Sequence, residues 1–132
     1  MNDIKDTAFD FYINKDNSCA ETVLKSACAE FGIELDESVV KAVGSFSGGC
    51  GVGDLCGAAA GALAAIGLKY GSGNVHGSEV QRDKMKQFMG IFKSEFGCTD
   101  CEVLKPQHKR EDVRCFYVVE KTLELLSSIF DD

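Results

Sequence analysis

The sequence predicts an all-α fold: a single-domain bundle of five or six helices around a buried, Gly/Ala-rich central helix. Three observations carry that prediction. Apolar residues recur at helical spacing, as in Met85, Phe88, Met89, Phe92 and Phe96. The chain has one proline and no long alternating run of β-branched residues, so little marks a strand. The stretch from Leu55 to Leu68 is apolar, with Gly and Ala on every face, which suits a helix that its neighbours approach closely. At 132 residues the chain reads as one domain over 1–132, long enough to bury a core without disulfide staples.

The elements follow in order. Ile4, Ala8, Phe11 and Tyr12 form the apolar stripe of a short first helix, broken by Asn14–Ser18. Ser18 and Glu21 stand at capping-box spacing and open a second helix that ends near Phe31, with Gly32 as its stop. Asp36 caps a third helix through Val43. A glycine-rich loop follows, and Asp54 is the expected cap of the central helix, Leu55 to Tyr70. Gly71–Gly77 reads as a surface loop. Ser78 and Gln81 open the fifth helix, which Gly97 closes. Cys98 to Leu104 is expected to form a short helical turn capped by Thr99, and Pro106 follows it. The last helix is predicted from about Glu111 to Ile129, with Cys115, Val118, Val119, Leu125, Leu126 and Ile129 on its apolar stripe.

Bulk properties bound the function. A formal charge of -7 argues against nucleic acid and anionic membrane surfaces as partners, because both require a basic face. The polar start lacks the apolar core of a secretory signal, and Leu55–Leu68 is too short to span a bilayer. A cytoplasmic location is therefore expected. In that reducing compartment seven cysteines are poor candidates for static staples. They read instead as redox-active, metal-binding or buried thiols. An odd number leaves at least one without a partner in the chain.

Cys19, Cys56 and Cys101 each fall one or two positions after a predicted N-cap, namely Ser18, Asp54 and Thr99. The partial positive charge of a helix start is expected to stabilise a thiolate and lower its pKa. Cys115 and Cys28 fall inside predicted helices and read as core packing. Cys98-Thr-Asp-Cys101 has the spacing of a redox disulfide or of two metal ligands, although Asp100 opposes thiolate formation. Without a βαβ pattern it does not indicate a thioredoxin fold, and Glu102 in place of His excludes c-type haem attachment. Cys50 and Cys56 are spaced more widely than a zinc knuckle. Gly48–Gly53 lacks the Lys-Ser/Thr of a phosphate-binding loop. His76 and His108 fall in loops and read as exposed, although either could serve as a base or ligand.

With those residues in view, the chain resembles the redox-active family labelled C_GCAxxG_C_C over nearly its full length. Asn17–Leu24 resembles the family's first cysteine block, and Gly48–Gly61 with Ile66–Gly71 its central block. Phe96–Cys101 and Cys115 resemble the later cysteine positions. The chain reads Cys-Gly-Ala-x-x-Gly at Cys56–Gly61 where the label spells Gly-Cys-Ala-x-x-Gly. On this resemblance the family's cysteines fall on Cys19, Cys56, Cys101 and Cys115, and Cys28, Cys50 and Cys98 are additional. The resemblance implies a redox role without naming a reaction, and it gives Cys115 a part that its apolar position does not.

The preferred expectation is a thiol oxidoreductase running two-electron thiol–disulfide chemistry. Its residues are Cys19, Cys56, Cys101 and Cys115, with Cys56 as the central thiol and Cys101 or Cys50 resolving. Cys98 is a further candidate. That reading needs no cofactor and leaves the electron donor or acceptor unnamed and a homo-oligomer open. The first alternative is an iron–sulfur cluster or zinc held by the same four cysteines. The second is a non-enzymatic helical interaction domain whose cysteines are ordinary core.

Overall fold

Side-chain caps open four of the seven α-helices among the described residues of the computed structural model, residues 3–130. Met1, Asn2, Asp131 and Asp132, the ends of the expected 1–132 domain, lie outside the described residues. Among those described there are seven α-helices: α1 (Ile4–Phe9), α2 (Cys19–Phe31), α3 (Glu37–Gly44), α4 (Gly57–Tyr70), α5 (Glu79–Phe96), α6 (Cys101–His108) and α7 (Phe116–Ile129). The count exceeds the expected five or six. A π turn, Asp10–Asn14, prolongs α1. No helix among the described residues is long and apolar enough to cross a membrane.

Ser18 opens α2 through a reciprocal box. Its hydroxyl accepts from the Glu21 amide at 3.2 Å, and the Glu21 carboxylate accepts from the Ser18 amide at 2.9 Å. Asp36 and Ser78 cap α3 and α5 through their side chains. Gly32 and Gly97 close α2 and α5 in the left-handed conformation.

Helix α4 lies in the middle and packs chiefly on α2, then on α5 and α7. Its residues from Gly57 to Ala62 are all buried. Two glycines one turn apart make the close approach to α2. A Cβ added to Gly61 would stand 2.4 Å from the Ala20 carbonyl oxygen, and one on Gly57 would stand 3.5 Å from the Cys19 Cβ. Small residues therefore set the α2–α4 spacing and bring the two helix starts together. Around this pair Leu24, Ile66, Phe88, Phe92, Leu123 and Leu126 are completely buried. Each such side chain contributes about 1.5–3 kcal/mol in transfer terms.

Four local expectations are corrected. The cap of α4 is Cys56 rather than Asp54, and the cap of α6 is Asp100 rather than Thr99. The reason is a short ladder: Leu55 pairs with Asp100, the Cys56 amide donates to the Thr99 carbonyl at 2.7 Å, and the Cys101 amide donates to the Asp54 carbonyl at 2.6 Å. This pairing holds both segments extended until just before their helices start. The turn expected to stop at Leu104 runs on as α6 to His108, with Pro106 inside it. Glu102 is exposed, so water can satisfy the carbonyl that Pro106 leaves without a donor. Finally, α7 starts at Phe116, not near Glu111. Arg110 and Arg114 exchange two backbone hydrogen bonds of 2.8 Å and close a tight turn, with Arg114 at φ +52°.

Candidate thiol site

The late start of α7 moves Cys115 from mid-helix to its N-cap. Cys19 is the first residue of α2, Cys56 caps α4, and Cys101 is the first residue of α6. Four cysteines thus occupy four helix starts, and all four line one cavity of about 200 Å³. The α2–α4 approach sets Cys19 beside Cys56. The ladder sets Cys56 and Cys101 on the same face, because alternate strand residues share a face and Leu55 faces Asp100. Gly49 backs Cys101: a Cβ there would stand 2.7 Å from the Cys101 Cβ.

The π turn carries Tyr12 into the wall, where it is 3% exposed. Its hydroxyl accepts from the Cys115 amide at 3.2 Å and lies 3.4 Å from the Cys19 sulfur. An ionised Cys19 can only accept, so in that state the tyrosine donates to it. Leu104 and Val118 supply apolar wall. Lys105, Lys109 and Arg114 supply cations, and among the described residues no carboxylate lines the cavity. The Arg114 guanidinium lies 4.2 Å over the Tyr12 ring, donates to the Tyr12 carbonyl and pairs with Asp16 at 3.0 Å.

The lowering of thiol pKa expected at helix starts is overturned for Cys19 and Cys56, and Cys115 is raised as well. Burial pushes Cys19 from the ordinary 9.0 up to about 12; the Tyr12 hydrogen bond opposes this, and the neighbouring thiols Cys56, Cys115 and Cys101 add to it. Cys19 exposes some surface as a residue, yet protein packs densely around its sulfur, and this desolvation governs the direction. Burial also raises Cys56, outweighing the Ala59 and Ala58 amides that favour its thiolate. Cys115 is raised by burial and by Cys101, against the pull of Lys105, Lys109 and Arg114. Tyr12 is held well above the usual phenol value, first by burial. Helix-end charge is worth at most about 2 kcal/mol, and a desolvated sulfur loses more than that.

The remaining cysteines stand outside the cavity lining. Cys28 is buried in α2, Cys98 packs half-buried against the core, and Cys50 is exposed on the glycine loop. All seven are free thiols in this structure. Among the described residues no three His, Cys, Asp or Glu side chains are placed to hold a metal ion, so as they stand the four cysteines share a cavity and not a coordination sphere. His76 is exposed. His108 packs its ring 5.6 Å from Phe96 and 5.2 Å from Tyr117, outside the thiol cavity. Sequence reasoning missed Tyr12, Lys105, Lys109 and Arg114. Tyr12 carried one usable signal: a phenol on an apolar stripe needs a polar partner when buried. The three cations carried none, since charged loops are ordinary.

A family model described as "Putative redox-active protein (C_GCAxxG_C_C)" matches residues 17–129. No curated protein and no solved structure gives a significant match. The match spans most of the chain and all four cavity cysteines, and the chain belongs to this family.

Proposed function

We propose that this redox-family chain performs thiol–disulfide exchange at the four-cysteine cavity, with Cys101 as the attacking thiol and Cys56 as the resolving one. The convergence of four helix-start cysteines on one small cavity carries the reading. Cys101 keeps exposed surface and has Lys105 one turn away on α6, whereas Cys56 is 6% exposed and its thiol is raised by burial. The order of attack expected from sequence is therefore reversed in this proposal.

The electron acceptor is a disulfide, RSSR. The Cys101 thiolate attacks one of its sulfurs, the S–S bond breaks, and one RS⁻ leaves and takes up a proton. The Cys56 thiolate then attacks the Cys101 sulfur of the mixed disulfide and expels the second RS⁻. Two protein thiols are oxidised to one disulfide, and one disulfide is reduced to two thiols. The glycine loop behind Cys101 gives the backbone freedom to close the pair, and the Tyr12 hydroxyl offers a proton donor to charge on Cys19.

Differential alkylation with peptide mass spectrometry across a redox titration tests this. A Cys56–Cys101 linked peptide that appears and disappears reversibly is the expected result. If no cysteine pair changes state between reducing and mildly oxidising buffer, the proposal fails. Stoichiometric zinc or iron after anaerobic purification, with all four thiols shielded from alkylation, would replace it with thiolate metal binding.

A further inference from the structure

We infer that the disulfide taken by this site is a small anionic one, a low-molecular-weight organic disulfide bearing carboxylates. This rests on the exchange reading above and adds the substrate class. Three cations line the cavity and, among the described residues, no acidic side chain does, in a chain with a formal charge of -7. Arg114 is partly neutralised by Asp16, but neither Lys105 nor Lys109 has a carboxylate partner among the described residues. Both lysines are exposed, so their charge is available at the mouth. Four helix starts add positive potential from the cavity floor.

The size also fits: a cavity of about 200 Å³ has room for one arm of a short organic disulfide. Leu104 and Val118 provide apolar contact for the alkyl part of that arm. Lys109 also lines a neighbouring cavity of about 620 Å³, together with Arg110 and the Lys5–Glu120 ion pair of 2.7 Å. Lys109 and Arg110 therefore carry positive charge away from the thiols, where the second arm of the substrate would lie.

The cations could instead serve only the thiolates, and reagent charge separates the two roles. Fully reduced protein is mixed with three aliphatic disulfides of similar size: dithiodipropionate (anionic), hydroxyethyl disulfide (neutral) and cystamine (cationic). Each rate of protein thiol loss is divided by that reagent's rate with a neutral reference thiol, thioglycerol. A thiolate effect is common to all three and cancels in the ratios. The expected order is anion over neutral over cation, with the anion ahead of the cation by about tenfold or more at low salt. The preference should collapse toward unity in about 1 M salt, where the screening length is about 3 Å. It should also fall in the double variant Lys105→Gln/Lys109→Gln, whose exposed side chains are not needed for folding.

Equal normalised rates for all three reagents would overturn the anionic class and leave exchange standing. So would a charge preference that survives the double substitution and high salt. If none of the reagents yields a protein disulfide, exchange itself fails, and the substrate class with it.

Discussion

Replacing Gly61 with alanine tests the contact that builds the site. The added Cβ would meet the Ala20 carbonyl oxygen at 2.4 Å, its carbon at 3.1 Å and its Cα at 3.2 Å. All three are backbone atoms, so no side chain can swing away. Restoring an ordinary contact requires α2 and α4 to separate by about 1 Å. Alanine gains about 1 kcal/mol of helix propensity over glycine. Overpacking a dense core costs about 1–3 kcal/mol, and a rigid backbone obstacle falls in the upper part of that range. The net expectation is a loss of about 1–2 kcal/mol. With a urea slope of about 1.5 kcal/mol per molar, the midpoint falls by roughly 1 M. Gly90 is the control: it lies in α5, is exposed, and has nothing within 4 Å of an added Cβ. Gly90→Ala should therefore raise stability by about 0.5–1 kcal/mol through propensity alone. Urea unfolding followed by far-UV circular dichroism reads both. Native-state alkylation of Cys19 should also quicken in Gly61→Ala, because separating α2 from α4 opens its surroundings. A Gly61→Ala midpoint at or above wild type would refute the close-approach argument, as would equal shifts for the two variants.

Tyr12→Phe removes the acceptor of the Cys115 amide and the partner of the Cys19 sulfur, and should cost about 1–2 kcal/mol in urea unfolding. It should also move native alkylation of Cys19 to higher pH, since the hydrogen bond favours the thiolate. The raised thiols Cys19, Cys56 and Cys115 set the sign of one pH dependence. The unfolded chain loses these protons first, so their contribution is complete below about pH 9 and is lost as pH rises through the folded values, toward 12 for Cys19. Urea midpoints under reducing conditions should decline from pH 8 to 10, at up to about 1.4 kcal/mol per pH unit for each group, and Cys19→Ala should flatten the decline. Gly49→Ala combines φ +66° with a Cβ 2.4 Å from the Asp54 amide nitrogen and 2.7 Å from the Cys101 Cβ, and should cost more than about 2 kcal/mol while displacing Cys101. Gly51→Ala has a similar φ of +82° and open space, so it should cost only about 1 kcal/mol; equal losses in the two variants would show that Gly49 does not support Cys101.

Local chemistry was legible in the residues themselves. Ser18 with Glu21, Asp36 and Ser78 announce helix starts because capping is an exchange between neighbours along the chain. The Gly/Ala run announces a central helix because every face of it lacks bulk. Cys19 could be placed at a helix start on the same grounds, whereas Cys56 and Cys101 stand at helix starts set by the Leu55–Asp100 pairing and not by the caps expected at Asp54 and Thr99. Cys115 could not be placed at one. Its apolar periodicity continues smoothly upstream, and only the Arg110–Arg114 turn decides that α7 begins beside it. Nor could the sign of the thiol shifts be read, because a helix start is local whereas desolvation depends on what packs around each sulfur from elsewhere. The meeting of Tyr12 with Cys115 likewise joins residues 103 positions apart. The sequence by itself determined the helix starts at Ser18, Asp36 and Ser78 and which residues carry sulfur. Tertiary packing alone decided that four helix starts share one cavity, that burial outweighs helix-end charge there, and that Lys105, Lys109 and Arg114 line its mouth.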